Sequence, residues 1–333
     1  MSVNSALFPY ESSRISIERL LQSIQRMIVG KQECVFRLVS AMLCGGHVLI
    51  EDVPGVGKTS LARALAQSVG CTYKRIQFTP DLLPSDVTGV TVYNERDRQF
   101  EFRPGPIMAQ IVLADELNRT SPRTQSALLE AMEEGRVTVD GVTYPLPRPF
   151  LLIATQNPSD YEGTYRLPEV QLDRFMMKLR LGYPSAAQEV EMLGRWLDLP
   201  ADEAVRPVLS PEELLRMQQE CRSVYVDETV KEYIVAIVHA TRQHKEVTLG
   251  ASPRASLALM RASQAQAYML GRAYVVPDDV KAVVVSVLSH RIMLRSGARS
   301  FDAAGDSADN EAVVRDILKR CPVPGMRAGG RFR

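Results

Sequence analysis

No two cysteines in this sequence are spaced for a metal or dithiol centre. The five (Cys34, Cys44, Cys71, Cys221 and Cys321) are scattered and odd in number. That argues against a disulfide scaffold and predicts buried free thiols in a reducing cytoplasm. Histidine is scarce as well: there are four, and His239 and His244 lack the spacing by which two ligands share a helix face. Neither sign of charge dominates. Forty Lys and Arg stand against 39 Asp and Glu, a net of +1, so bulk charge gives no reason to expect nucleic acid or a membrane as partner. Long apolar runs are missing. The most apolar late stretch, Ala282 to Leu288, is far too short to span a bilayer. The N-terminus shows neither a basic start nor an apolar run, so no signal peptide is expected.

What is present is enough apolar residue, 45% of 333, for real cores, over a length that suits two domains. The first half alternates. Apolar runs at His47–Ile50, Tyr73–Phe78, Gln110–Ala114, Phe150–Ala154 and Met176–Leu179 lie between helical patterns, which predicts a parallel sheet covered on both faces. Residues 1–14 read as loosely ordered, and helices are expected over Ile15–Met27 and Gln32–Leu43. Two hairpins interrupt the alternation. One spans Thr88 to Arg103. The other, Val137 to Tyr144, is centred on Asp140-Gly141, a two-residue turn signal. Beyond Tyr183-Pro184 strand signals nearly vanish. Helices are predicted over Ala186–Trp196, Pro211–Cys221, Asp227–Arg242, Pro253–Leu270, Pro277–Met293 and Ala308–Lys319. The reading divides the chain into an α/β unit over 1–185, an all-helical unit over 186–320 and a flexible tail over 321–333.

The chemistry starts at Asp52-Val53-Pro54-Gly55-Val56-Gly57-Lys58-Thr59. This loop follows an apolar strand and opens a helix, Ser60 to Ser68, which is the setting of a phosphate-binding loop. Glycines let successive N–H groups curl around phosphate oxygens, and the helix N-terminus adds positive potential. Lys58 can reach the terminal phosphates and the Thr59 hydroxyl can ligate Mg²⁺. Asp52 replaces the usual first glycine; aspartate tolerates a left-handed backbone, so the turn is expected to survive.

Four further segments bear on turnover. Asp115 and Glu116 end an apolar strand, placing two carboxylates at a sheet edge beside the loop. Asp115 can hold Mg²⁺ and Glu116 can orient or deprotonate water; alone, the pair reads equally as a strand leading into a helix cap. Asn157, in Thr155-Gln156-Asn157-Pro158, can bridge the γ-phosphate and the attacking water, or be a turn residue before proline. Arg174, in Leu172-Asp173-Arg174-Phe175, suits phosphate through its planar fork, or forms a surface ion pair. Arg254 opens a lid helix, from where it can swing toward the phosphates or stay an ordinary surface residue.

The set Glu51–Thr59, Asp115-Glu116-Leu117-Asn118-Arg119, Ala154–Pro158, Leu172–Phe175 and Gly250-Ala251-Ser252-Pro253-Arg254 resembles the AAA+ ATPases, and more closely their MoxR family, over about Ile15 to Arg295. The resemblance implies an αβα nucleotide-binding domain followed by a helical lid, assembled as a ring, commonly a hexamer. It implies that Pro54, Gly55, Val56, Gly57, Lys58, Thr59 and Ser60 hold ATP, and that Val29-Gly30 lie beside adenine, with Lys31 replacing the usual glutamine. It makes Thr59 and Asp115 the Mg²⁺ ligands, Asp115 and Glu116 the Walker B pair and Asn157 the first sensor. Arg174 becomes the finger acting on a neighbour's nucleotide and Arg254 the second sensor. The hairpins resemble the helix-2 insert and pre-sensor hairpin. Expected partners are a protein carrying a von Willebrand factor type A domain and a client protein that ATP turnover matures or remodels. A nucleic-acid motor or loader on the same fold is the alternative, opposed by the neutral charge and the lack of a recognisable DNA-binding module. A small-molecule kinase is disfavoured by the Asp-Glu pair and the spaced arginines. A nucleotide switch without turnover is disfavoured by Glu116.

Overall fold

The computed structural model describes residues 10–157, 165–198, 206–295 and 303–324. Among the described residues two helices lead, α1 (Glu11–Met27) and α2 (Gln32–Leu43). The first begins before Ile15, so residues 11–14 are helical rather than loose; residues 1–9 lie outside the described residues. Its apolar stripe, Ile17, Leu20 and Ile24, is buried, as spacing of three and four residues requires.

A five-stranded parallel sheet follows. It is built from β1 (Val48–Glu51), β2 (Tyr73–Gln77), β5 (Ile111–Asp115), β8 (Leu151–Gln156) and β9 (Met177–Leu179), in spatial order β2-β5-β8-β1-β9. Strands β1, β5 and β8 are buried along nearly their whole length, which is why each reads as an unbroken apolar run. Between them lie α3 (Lys58–Ser68), the short α4 (Pro84–Thr88), the hairpin β3–β4 (Gly89–Asn94, Gln99–Pro104), α5 (Pro122–Glu134) and the hairpin β6–β7 (Arg136–Val139, Val142–Pro145). Asp140 and Gly141 both have positive φ, 50° and 81°, as the tight turn between two short strands demands. The hairpins touch: the Phe102 and Tyr144 rings stack at 3.9 Å.

After α6 (Glu169–Leu172) and β9 the chain is helical: α7 (Ala186–Asp198), α8 (Pro211–Arg222), α9 (Glu228–Gln243), α10 (Pro253–Met269), α11 (Pro277–Leu288) and α12 (Ala303–Arg320). Two expectations fail here. A small antiparallel pair, β10 (Val247–Leu249) with β11 (Met293–Leu294), sits among the helices, and α11 stops at Leu288 instead of Met293. The residues after it are drawn to the sheet: His290 Nε2 lies 3.0 Å from the Phe175 carbonyl, and the buried Arg291 guanidinium binds Asp173. Burial, reinforced by Arg291, pushes the His290 imidazole well below its ordinary range, so it serves there uncharged. The expected flexible tail is described only to Pro324.

The larger apolar cluster runs without a break from α1, α2, α3 and one sheet face into the lid helices; a second fills the opposite face under α5. All five cysteines are free thiols. Cys34, Cys44 and Cys221 are buried as expected, whereas Cys71 and Cys321 are only half-buried. Burial, with Asp52 nearby, pushes Cys34 up to about 12. Among the described residues no helix is long and apolar enough to cross a membrane.

Candidate functional site

The phosphate loop joins the carboxyl end of β1 to the start of α3. Gly55 and Gly57 have φ of 84° and 93°, and a Cβ on either would stand in open space. The open side of the loop is therefore a cradle, with the first N–H groups of α3 turned toward it. Val56 leans on the core, Pro54 and Ser60 are exposed, and Thr59 is half-buried on the first turn.

Asp52 does not do what was expected of it. It is absent from the residues with positive φ. Its carboxylate instead accepts hydrogen bonds from the backbone N–H groups of Leu181 and Gly182, each at 2.6 Å, and from its neighbour Val53. Aspartate is there to tie the loop to the chain leaving β9. Asp52→Ala should therefore lower stability by about 3 kcal/mol, the cost of two lost charge-assisted bonds with their donors left partly buried. Asp52→Asn should lose about half as much, since one oxygen can still accept. Urea midpoints check this, and a stabilised Asp52→Gly would refute it.

Lys58 is buried at 8% exposure. Its ammonium donates to the Asp52 carbonyl at 2.7 Å and to Asn157 Oδ1 at 3.0 Å. Asn157 Nδ2 in turn faces Glu116 Oε1 at 3.4 Å. The phosphate loop, the end of β8 and the end of β5 thus meet, 99 and 41 residues apart in sequence. Glu116 holds a left-handed backbone, φ 59° and ψ 46°, uncommon for a residue with a long side chain. Its N–H donates to Thr155 Oγ1, whose hydroxyl donates to Asp115 Oδ1 at 2.7 Å.

Two β2 residues complete the site, and neither was anticipated. Arg75 donates from Nε and Nη2 to Asp115 Oδ2, at 3.0 and 2.7 Å. Gln77 Nε2 donates to Glu116 Oε2 at 2.6 Å. Residues 75 and 77 share one face of the strand, and Gln77 is the register partner of Asp115. The available signal was two polar side chains at alternate positions ending a predicted strand.

Val29 is buried, and Gly30, at φ 70°, lies so close to Gln188 on α7 that a Cβ would collide with it. Lys31 donates to the Tyr183 carbonyl. This corner faces the linker to the lid.

The two arginines are elsewhere. Met177 on β9 pairs with Val48, the first residue of β1, and Met176 N–H donates to the His47 carbonyl. Arg174 therefore lies at the amino end of the sheet, whereas the phosphate loop leaves its carboxyl end. β1 has 4 residues, about 13 Å at roughly 3.3 Å each. Arg254 joins Arg174, not its own phosphate loop: both guanidiniums contact Glu133, at 2.5 and 3.1 Å.

Similar proteins are known. Residues 47–177 match the family described as "ATPase family associated with various cellular activities (AAA)", and residues 239–317 match the "AAA lid domain". The chaperone MoxR1 of Mycobacterium tuberculosis is 41% identical over 94% of this chain and 84% of its own length. The chain belongs to the MoxR family of AAA+ ATPases. The YeaC protein of Bacillus subtilis is 53% identical, over 94% of this chain and 96% of its own. A crystal structure of a candidate ATPase from Cytophaga hutchinsonii superposes with a TM-score of 0.84 at 37% identity, covering 93% and 95% of the two chains. A MoxR-family ATPase is thus the frame for the two ends of the sheet: one end holds the glycine loop with its polar network, the other a pair of arginines.

Proposed function

We propose that this chain is a Mg²⁺-dependent ATP hydrolase that works as a closed ring, commonly a hexamer, and converts turnover into remodelling of a partner protein. One observation carries the reading. The glycine loop and the arginine pair lie at opposite ends of the sheet, so if that loop holds the nucleotide, an arginine reaches a phosphate only across a head-to-tail interface. Heterologous contacts of that kind form rings where the rotation between neighbours closes.

The residues fit the nucleotide. Gly55 and Gly57 leave a phosphate-sized concavity without a Cβ in it, and Lys58 is already oriented by Asp52 and Asn157. Val29 and Gly30, against the α7 turn, suit the base. Thr59 and Asp115 supply the hard oxygen donors that Mg²⁺ prefers. When bound, that ion would spread the charge developing on the phosphoryl oxygens. Asp115 is already shared with Arg75 and Thr155, an arrangement that contact through water leaves intact. Glu116 acts on the water, Asn157 links it to the γ-phosphate, and Arg174 with Arg254 approach from the neighbour.

The stacked hairpins are the proposed mechanical parts. Phe100 on β4 is 75% exposed, available to a client. A protein with a von Willebrand factor type A domain and a client needing maturation are the partners the family likeness suggests, and five free thiols suit the cytoplasm.

The test is complementation. Arg174→Ala should lower turnover about 10³-fold or more, as loss of an arginine finger does. Mixed one to one with Glu116→Gln subunits, roughly a quarter of interfaces combine an intact holder with an intact donor, and activity should return in proportion. Wild-type turnover by Arg174→Ala alone, or no recovery on mixing, would refute the shared site.

A further inference from the structure

We infer that Glu133 is a positioning residue for turnover: one carboxylate that gathers Arg174 and Arg254 into a single anion-seeking unit. The inference rests on the shared site proposed above and adds to it a residue that none of the motifs contains.

Glu133 lies in the last turn of α5. Its two oxygens go to different partners. Oε2 takes Arg174 Nη1 at 3.1 Å and Oε1 takes Arg254 Nη2 at 2.5 Å. Arg174 comes from the core, just before β9, and Arg254 from the first turn of the lid helix α10. Without an acid between them, two guanidiniums this close would repel and separate. With it, both are held while most of their N–H donors remain free for another anion, since each guanidinium carries five. Arg174 Nε, which is buried, has no hydrogen-bond partner.

The surroundings fix the geometry without neutralising it. Asp173, next to Arg174, accepts from Arg291 Nε and from Ser252 Oγ, both at 2.8 Å. Ser252 precedes Arg254 by two residues, so the same bracket that docks the lid on the core also sets where Arg254 begins. The cluster then holds three guanidiniums (Arg174, Arg254, Arg291) against two carboxylates (Glu133, Asp173). Burial, with Arg254 adding to it, brings Arg291 down to about 10, still protonated at neutral pH. A net positive charge is left, and it is left where the side chains are open: Arg254 is 48% and Arg174 27% exposed, while Arg291 is sealed at 2%. A phosphoryl group presented by the adjoining subunit supplies the missing negative charge. Glu133 thereby prepares both arginines before the subunits meet, lowering the ordering cost at the moment of reaction.

A carboxylate that only braced the fold would not distinguish one side of an interface from the other; this one must. In the assembled full-length protein, Glu133→Gln keeps shape and removes charge. It should lower kcat about tenfold to a hundredfold with KM for ATP changed less than about threefold, because the loss falls on the transition state. Mixed with Glu116→Gln subunits, it should recover activity in the same proportion as Arg174→Ala does. Mixed with Arg174→Ala subunits it should recover none, both defects lying on the donating side. Glu133→Asp, which keeps the charge on a shorter arm, should retain more activity than Glu133→Gln. Unchanged kcat in Glu133→Gln, or recovery with Arg174→Ala, overturns the inference while leaving the shared site standing. Failure of the Arg174→Ala and Glu116→Gln pair to complement removes the shared site, and the inference with it. If Glu133→Gln does not fold, the Glu133→Asp protein decides by the same mixtures: recovery with Glu116→Gln but not with Arg174→Ala supports the role, and any other pattern refutes it.

Discussion

Glu116→Gln should lower steady-state turnover by about 10² to 10⁴-fold, while ATP affinity should stay within about threefold of wild type. The first figure is the usual contribution of a positioned general base. The second follows from what the side chain touches. Glu116 receives Gln77 Nε2 on one oxygen, which also lies 3.6 Å from Arg119 Nε, and faces Asn157 Nδ2 with the other; these partners are neither Lys58 nor the cradle glycines. Glutamine has the same shape, and its amide oxygen can still accept from Gln77, so the shorter of the two hydrogen bonds survives; the long one from Asn157 Nδ2 is lost, because the new amide NH₂ faces it as a second donor. What disappears is the capacity to take a proton from water. Single-turnover phosphate release and titration with a fluorescent ATP analogue separate the two quantities. Turnover near wild type would transfer the base role elsewhere, and a large loss of affinity would mean that Glu116 acts through the binding site rather than on water. The same variant, loaded with ATP, should accumulate in the client-bound state and so capture the client.

The parts of this molecule that could be read from the sequence are those whose cause is local. Val48 to Ile50, Ile111 to Ala114 and Leu151 to Ala154 announce buried parallel strands because both faces of each are covered, and their predicted ends fall within a residue or two of those observed. Asp140-Gly141 announces its hairpin because few other pairs accept positive φ at both positions. The parts that could not be read depend on partners far along the chain. Asp52 looked like a substitute for glycine until Leu181 and Gly182, 129 and 130 residues away, were seen to use its carboxylate. Gln77 and Arg75 were visible as polar residues of a strand, but only the order β2-β5 puts them against Glu116 and Asp115. Arg254 carries no sign of which end of the sheet it will face. That is decided when Arg291 and Ser252 dock on Asp173, bonds spanning 118 and 79 residues. The strand β10 has three residues and no periodicity, so nothing in its composition separates it from a loop.

Lys58→Ala should weaken ATP binding about a hundredfold or more and leave the fold intact. In the structure the ammonium is buried and directed by two acceptors, the Asp52 carbonyl and Asn157 Oδ1. Held there, it needs little reorganisation to reach a phosphate oxygen, so its bonds to the nucleotide are made close to full strength. Each charge-assisted bond is worth about 1.5–3 kcal/mol; with two terminal phosphates in reach, a loss of about 3 kcal/mol, or a hundredfold, is a low figure. The glycine cradle and the α3 N-terminus remain, so residual binding should persist and its preference should shift from ATP toward ADP relative to wild type, because the missing contact is to the terminal groups. Lys58→Arg should not rescue it: the planar fork of a guanidinium does not replace a compact point charge. Calorimetric titration with ATP and ADP, alongside urea unfolding to show that the chain is folded, checks the prediction. An affinity equal to wild type would remove this loop from the nucleotide site, and with it the reason for placing Glu116 and Asn157 around a γ-phosphate at all.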